Sequence, residues 1–227
     1  VHTFAEGFFD PRESLEAGLG AVCLDSANGY VFATFAAPDG TGVLRNNIIR
    51  FQSRPGTFSL APESQVTYTD IFASFRSGGE HQIGHCNVQG EILFVSIGDG
   101  SQTTQSQQVD SILGKVLRMT LDAEPLPDNP FFLEANGRDP ENYVWAMGLR
   151  NPFGLEMADG RLFVSDNGPS VDRFLEIRKG VNYLWDGGNG SIGTNADYLI
   201  SPGHGVAQLA YYSGDTGVLP SEFNENF

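Results

Sequence analysis

Positive charge is scarce in this chain: 13 lysines and arginines stand against 28 aspartates and glutamates, a formal net charge of −15 over 227 residues. A field of that sign repels polyanions, so nucleic acid is excluded as an expected partner, and calcium or an exported, soluble existence fits better. Long apolar runs are missing too. None reaches the roughly 18 residues of a spanning helix, and no signal-peptide pattern follows Val1, so no membrane span is expected. Cysteine occurs only as Cys23 and Cys86, without metal-type spacing. Both lie in apolar strand patterns and read as small buried hydrophobes, with one bridge in an oxidising compartment as the other allowed state. Helix signals are few. What is plentiful is glycine, at 28 residues, which with the low charged fraction of 18% points to an all-β protein with many turns.

The strand pattern repeats. Residues 18–36, GLGAVCLDSANGYVFATFA, read as two short strands joined by an Asn28-Gly29 turn, with further strands at 46–53 and 66–75. The sequence over 83–99 is again strand, Gly-bearing turn, strand, followed by a strand at 114–122; a third copy occupies 151–168 and 174–185. Thr34, Ser96 and Ser165 close the matching VFAT, LFVS and LFVS segments and lie 62 and 69 residues apart. A period of that length, holding about four short strands, is the signature of propeller blades. The expected units are roughly 18–75, 76–143 and 144–200, with a further copy starting in 201–227 at GVAQLAYYSG. That makes about three and a half blades. A propeller closes when its last blade docks on its first, so the missing blades are expected from the rest of a longer chain or from another subunit. The Pro-rich stretch 124–143 reads as a long surface loop that either shapes a site or is a plain excursion. Residues 186–197 read as another loop, and the sequon Asn189-Gly190-Ser191 within it is close to chance.

Three loops carry the candidate chemistry. In GGEHQIGHCNVQGEILFVSIGDGS, residues 78–101, His81 sits on a bend among Gly78, Gly79 and Gly84 just before a strand, and Asp99 returns just after the next strand. A histidine can take up and release a proton near neutrality, and a carboxylate beside it can hold one imidazole tautomer. His85, two residues into the strand pattern, reads as a pocket wall or a second donor. In GLRNPFG, residues 148–154, Arg150 and Asn151 present a guanidinium fork and an amide suited to a carboxylate or quinone oxygen, from the slot that GEHQIGH fills one repeat earlier. In SDNGPS, residues 165–170, carbonyls of a Gly-Pro turn offer hard oxygens for calcium. Each piece taken alone has an ordinary structural reading. Their equivalent positions in the repeat are what bring them to one end of a channel.

Taken in order, EAGLG, NGYVFATF, GEHQIGH, ILFVSIGDG, SILGKVLRM, PDNPF, WAMGLRNPFG, LFVSDNGPS and KGVNYLW resemble the glucose/sorbosone dehydrogenase family over nearly the whole chain. The resemblance implies a six-bladed β-propeller of the quinoprotein glucose dehydrogenase type that binds pyrroloquinoline quinone and calcium, oxidises an aldose or related aldehyde, and passes electrons to a separate acceptor in the periplasm or outside the cell. It implies that His81 is the catalytic base, that Asp99 orients it, and that Arg150 and Asn151 contact the cofactor, with Arg150 favouring the reduced form. Gly168 and Pro169 would bind calcium through their carbonyls, and Glu16 would fall where the family often has a cofactor-contacting Gln. Departures are Ile83 in place of a small residue, expected to crowd the sugar, Arg173 in place of an acid, and Asp186 in place of a proline. They leave a non-catalytic binding or structural propeller as the alternative. A calcium-dependent propeller hydrolase would need acidic or Asn ligands that the sequence does not assemble.

Overall fold

A computed structural model describes residues 4–10, 16–53, 69–76, 79–215 and 217–227. Three four-stranded antiparallel sheets follow one another along the chain, each an up-and-down meander. The first holds β1 (Gly18–Asp25), β2 (Tyr30–Pro38), β3 (Leu44–Gln52) and β4 (Thr69–Arg76); the second β5 (Ile83–Gln89), β6 (Ile92–Ile97), β7 (Lys115–Thr120) and β8 (Val144–Met147); the third β9 (Pro152–Ala158), β10 (Arg161–Asp166), β11 (Asp172–Ile177) and β12 (Tyr198–Ile200). The all-β expectation holds, and these are blade-like units. Val144–Met147 pairs with β7, so the second sheet runs past the unit boundary expected at 144. Residues 66–68 of the expected fourth strand, and Gly78, lie outside the described residues. One short helix, α1 (Asn189–Ile192), interrupts the expected loop 186–197.

Local chemistry explains the turns. The β1–β2 connection is a four-residue turn, wider than the two-residue Asn28-Gly29 turn expected. The Asp25 carboxylate accepts the backbone N–H groups of Ala27 and Asn28 and the Asn28 amide, and Gly29, at φ +72°, closes the loop.

The continuous apolar runs have a packing cause. A sheet covered on one face alternates apolar and polar residues, whereas one covered on both faces does not. The second sheet is covered on both. Leu93, Val95, Ile97 and Leu117 pack towards Phe32 and Ile48 of the first sheet, while Phe94 and Val116 between them pack towards Leu155, Val164 and Leu175 of the third. The far face of the first sheet is covered in part by Phe4, Phe8 and Phe9.

The repeat is enforced by a backbone-to-backbone contact between successive inner strands. A Cβ added at Gly20 would lie 2.6 Å from the Ile83 carbonyl, at Gly84 3.1 Å from the Pro152 carbonyl, and at Gly154 3.0 Å from the Leu209 nitrogen. The hydroxyls that mark the repeat sit beside these glycines. Thr34 Oγ1 accepts from Ala21 N (2.9 Å) and donates to the Gly84 carbonyl (2.7 Å), Ser96 Oγ accepts from His85 N (3.0 Å), and Ser165 Oγ accepts from Gly154 N (3.1 Å). Residues 206–209 thus occupy the next inner-strand slot, although 205–214 forms no strand.

Cys23 and Cys86 are bonded to each other, with Cα atoms 5.9 Å apart across β1 and β5. This corrects the expectation of two unpaired thiols. Spacing along the chain could not show it, because the cysteines become neighbours only once two repeats are stacked.

Candidate functional site

In a meander, the entry to the first strand and the exit from the second lie at the same end of the sheet. Glu16, His81 and Arg150–Asn151 precede β1, β5 and β9, and Asp99 and Asn167–Pro169 follow β6 and β10, so topology alone brings the three loops together. The 121–143 loop leaves from the opposite end, where β7 stops and β8 starts.

His81 is 8% exposed and sits at φ +55°, a left-handed backbone conformation uncommon outside glycine. Its neighbours hold it there. The Glu16 carboxylate accepts the His81 N–H, and the His81 carbonyl accepts Gly100 N (3.2 Å). Gly98 is required beneath it, since a Cβ there would come within 2.6 Å of the His81 Cβ. Backbone strain of this kind, held by several contacts, is characteristic of functional positions.

His81 Nδ1 lies 2.6 Å from Asp99 Oδ1, which also accepts Ser101 N at 2.9 Å; Asp99 Oδ2 accepts the Trp185 indole N–H at 2.8 Å. Asp99 is 1% exposed and Trp185 3%. With every other partner donating to it, the carboxylate acts as acceptor and the imidazole proton belongs on Nδ1. None of the described residues hydrogen-bonds Nε2, which is the nitrogen left for chemistry.

The third sheet builds its share differently. Asp166, fully buried, accepts the backbone N–H groups of Arg150 (3.1 Å) and Asn151 (2.7 Å). Its charge is balanced by Arg173, also fully buried, whose guanidinium meets Oδ2 at 2.9 Å and donates to the carbonyls of Gly148, Tyr183 and Thr194. The Arg150 side chain itself is half-buried. Its Nη1 donates to the Asn167 carbonyl (2.8 Å), and its guanidinium lies 5.8 Å from the Trp185 ring centroid, within cation–π range. Asp99 N donates to the Arg150 carbonyl at 2.7 Å, which ties the second sheet's loop to the third's.

Gly168 N donates to Asp172 Oδ1 (3.1 Å), and Asp172 Oδ2 accepts the N–H groups of His204 (2.7 Å) and Gly205 (2.9 Å). Asp172 therefore pins the Gly168-Pro169 turn to the following segment. Beside it, Asn167 Oδ1 is buried without a hydrogen-bond partner. The 98–114 loop is closed by Lys115, fully buried, whose Nζ donates to the carbonyls of Gln105 (2.9 Å), Ser106 (3.0 Å) and Leu113 (2.6 Å). Burial pushes its ammonium down to about 7, opposed by the charge of Asp110.

His81, Asp99, Arg150 and the Asn167–Pro169 turn thus share one network, and Glu16 joins it through the His81 backbone. His85 bonds to none of His81, Asp99 or Arg150: Gln208 Nε2 lies 2.7 Å from its Nε2, its Nδ1 is buried without a partner, and burial lowers its pKa. Ile83 does not enter the site. It is 4% exposed and packs between the first two sheets, and Arg173 is an internal strut. Asp186 is exposed and receives Gly188 N at 3.0 Å. Trp185, Asp166 and Asp172 escaped sequence reasoning as site-builders. Asp166 lies inside the SDNGPS segment, Asp172 two residues beyond it and Trp185 at the end of KGVNYLW, but the partners that Trp185 holds, Asp99 and Arg150, are distant in the chain.

The model of the family Glucose / Sorbosone dehydrogenase matches residues 6–213. The aldose sugar dehydrogenase YliI of Escherichia coli K12 is 33% identical over 126 residues, covering 52% of this chain and 33% of its own length. Quinoprotein glucose dehydrogenase B of Acinetobacter calcoaceticus is 30% identical over 179 residues, covering 69% of this chain and 36% of its own. The chain thus spans about a third of the length of these curated relatives. A PQQ-bound aldose sugar dehydrogenase from Streptomyces coelicolor superposes with a TM-score of 0.66 at 28% identity, over 87% of this chain and 57% of that one. The apo soluble aldose sugar dehydrogenase of Escherichia coli gives 0.75 at 20% identity, over 97% and 68%, a likeness of fold.

Proposed function

Because the chain belongs to the glucose/sorbosone dehydrogenase family, we propose that it carries the base-bearing part of a six-bladed propeller that oxidises an aldose or related aldehyde with pyrroloquinoline quinone and calcium. The observation that carries this reading is His81, held by Asp99 at 2.6 Å with Nε2 unbonded among the described residues, in one network with an arginine whose side chain is fixed by the Asn167 carbonyl.

The residues present fit both groups. An anionic quinone needs a cation, and Arg150 offers one: its Nε and Nη2 bond to no described residue. Among the described residues no three His, Cys, Asp or Glu side chains converge, so calcium would rest on neutral oxygens. The Gly168 and Pro169 carbonyls and the orphaned Asn167 Oδ1 are oxygens of that kind. Acceptance of hydride is the chemistry the quinone supplies when bound. His81 Nε2 would take the anomeric hydroxyl proton as the C1–H bond breaks, with Asp99 stabilising the imidazolium that forms. Arg150 would stabilise negative charge on the reduced cofactor. Glu16 would act through the His81 backbone, and Asn151 beside Arg150 would contact the cofactor.

The disulfide supports export to the periplasm or the cell exterior, since such bonds persist in oxidising compartments. The alternative is a non-catalytic propeller that serves as a carbohydrate- or protein-binding or structural module; Ile83 and Arg173, which suggested it, are both buried. The test is reconstitution of the protein with pyrroloquinoline quinone and calcium, followed by dye reduction across an aldose panel. His81→Gln should keep cofactor binding and lose about 10²–10⁴-fold in kcat. Cofactor binding without dye reduction for any aldose or aldehyde would favour the binding module.

A further inference from the structure

We infer that Trp185 is a positioning residue that couples the histidine base to Arg150, so that the two are set by one side chain. Trp185 reaches this place by an unusual path. After β11 the chain turns back along β8 of the second sheet: Tyr183 N donates to the Met147 carbonyl (2.8 Å), Met147 N to the Val181 carbonyl (3.1 Å), and Trp185 N to the Gly148 carbonyl (3.0 Å). Third-sheet chain is thereby laid against the second sheet and ends with the indole between the two loops.

Each edge of the ring has a separate consequence. The Nε1–H donates to Asp99 Oδ2 and fixes the carboxylate plane, so that Oδ1 is left for His81 Nδ1 and Ser101 N. Without that donor Asp99 can rotate about its terminal bond, and the imidazole loses the restraint that presents Nε2. The ring face lies under the Arg150 guanidinium at 5.8 Å. The backbone is locked as well, since the Trp185 carbonyl accepts Gln107 Nε2 (3.0 Å) and Ser106 Oγ (3.3 Å). A side chain that is 3% exposed and fixed at both ends has little freedom to move one partner without the other.

The kinetic arm of the test rests on the dehydrogenase reading; the spectroscopic arm does not. Trp185→Phe keeps a ring for Arg150 and deletes only the indole N–H. In the cofactor-free protein, NMR should find the His81 Nδ1 proton downfield and protected in the native chain, and broadened or lost in Trp185→Phe. In reconstituted protein the same variant should lower kcat about ten- to hundredfold at unchanged KM and cofactor affinity, the scale of a small misplacement of a reacting group. Trp185→Leu should weaken cofactor binding too. A Trp185→Phe protein that keeps the protected Nδ1 proton overturns the inference, whether or not dehydrogenase activity is found. If Trp185→Phe does not fold, the indole proton is followed instead: Asp99→Ala must shift its resonance and speed its exchange, and an unmoved indole proton overturns the inference equally.

Discussion

The second and third sheets each put a carboxylate near the exit of their second strand, two residues apart in register, and use it in opposite ways. Asp99 lies beyond the end of β6 and holds a side chain, the His81 imidazole. Asp166 is the last residue of β10 and holds backbone, the N–H groups of Arg150 and Asn151, with its charge spent on Arg173 inside the fold. The two sheets also differ beneath the loop. Counting from the repeated serines, Gly98 of the second sheet corresponds to Asn167 of the third, and only the second must leave room for a histidine Cβ. Blade geometry brings both carboxylates to one end of the sheets, and the partner offered to each decides whether it holds a side chain or backbone.

The largest expected effect separates the two carboxylates. Asp166→Ala leaves the Arg173 guanidinium buried without its counter-charge and should cost about 3–5 kcal/mol of stability in urea unfolding. Asp99→Ala removes hydrogen bonds to an imidazole and an indole and should cost about 1–3 kcal/mol. Equal losses would erase the division between scaffold and chemistry.

Next in size is the disulfide, which ties the second sheet to the first and has no counterpart joining it to the third. Reduction or Cys23→Ser should cost about 2–4 kcal/mol, since the bond closes a loop across 63 residues of sequence. Hydrogen exchange should then speed in β1 and β2 before β9 and β10; uniform loosening of all three sheets would contradict the stacking described.

The smallest effect concerns pH. Burial lowers the His85 pKa, so its folded value lies below its unfolded value of about 6.5. The unfolded chain binds the proton first, so this contribution to stability is complete above about pH 6.5 and is lost as pH falls through the folded value. A His85→Gln variant should lack this part of the acid destabilisation, seen as a melting temperature that falls less than that of the native protein between pH 7 and pH 5. The third sheet's inner strand β9 carries no histidine and adds nothing of this kind.

Much of the fold was legible because it repeats. The VFAT and LFVS segments, their spacing and the Gly-framed bends identified strands and placed His81, Asp99, Arg150 and the Gly168-Pro169 turn in equivalent slots, since a meander returns corresponding loops to the same end. The inward direction of Ile83 was not legible. β5 is irregularly paired with β6 between Ile83 and Cys86, and such a shift changes which face a residue takes.

By itself the sequence determined the strand pattern, the repeat and the loops that carry the candidate groups, because these depend on local periodicity and turn chemistry. Tertiary structure alone decided that Cys23 meets Cys86 and that Trp185 stands between Asp99 and Arg150. Each of these joins different loops, strands or sheets, and such a contact exists only after the backbones have docked. Its partner is chosen by three-dimensional packing, which no local pattern in the chain records.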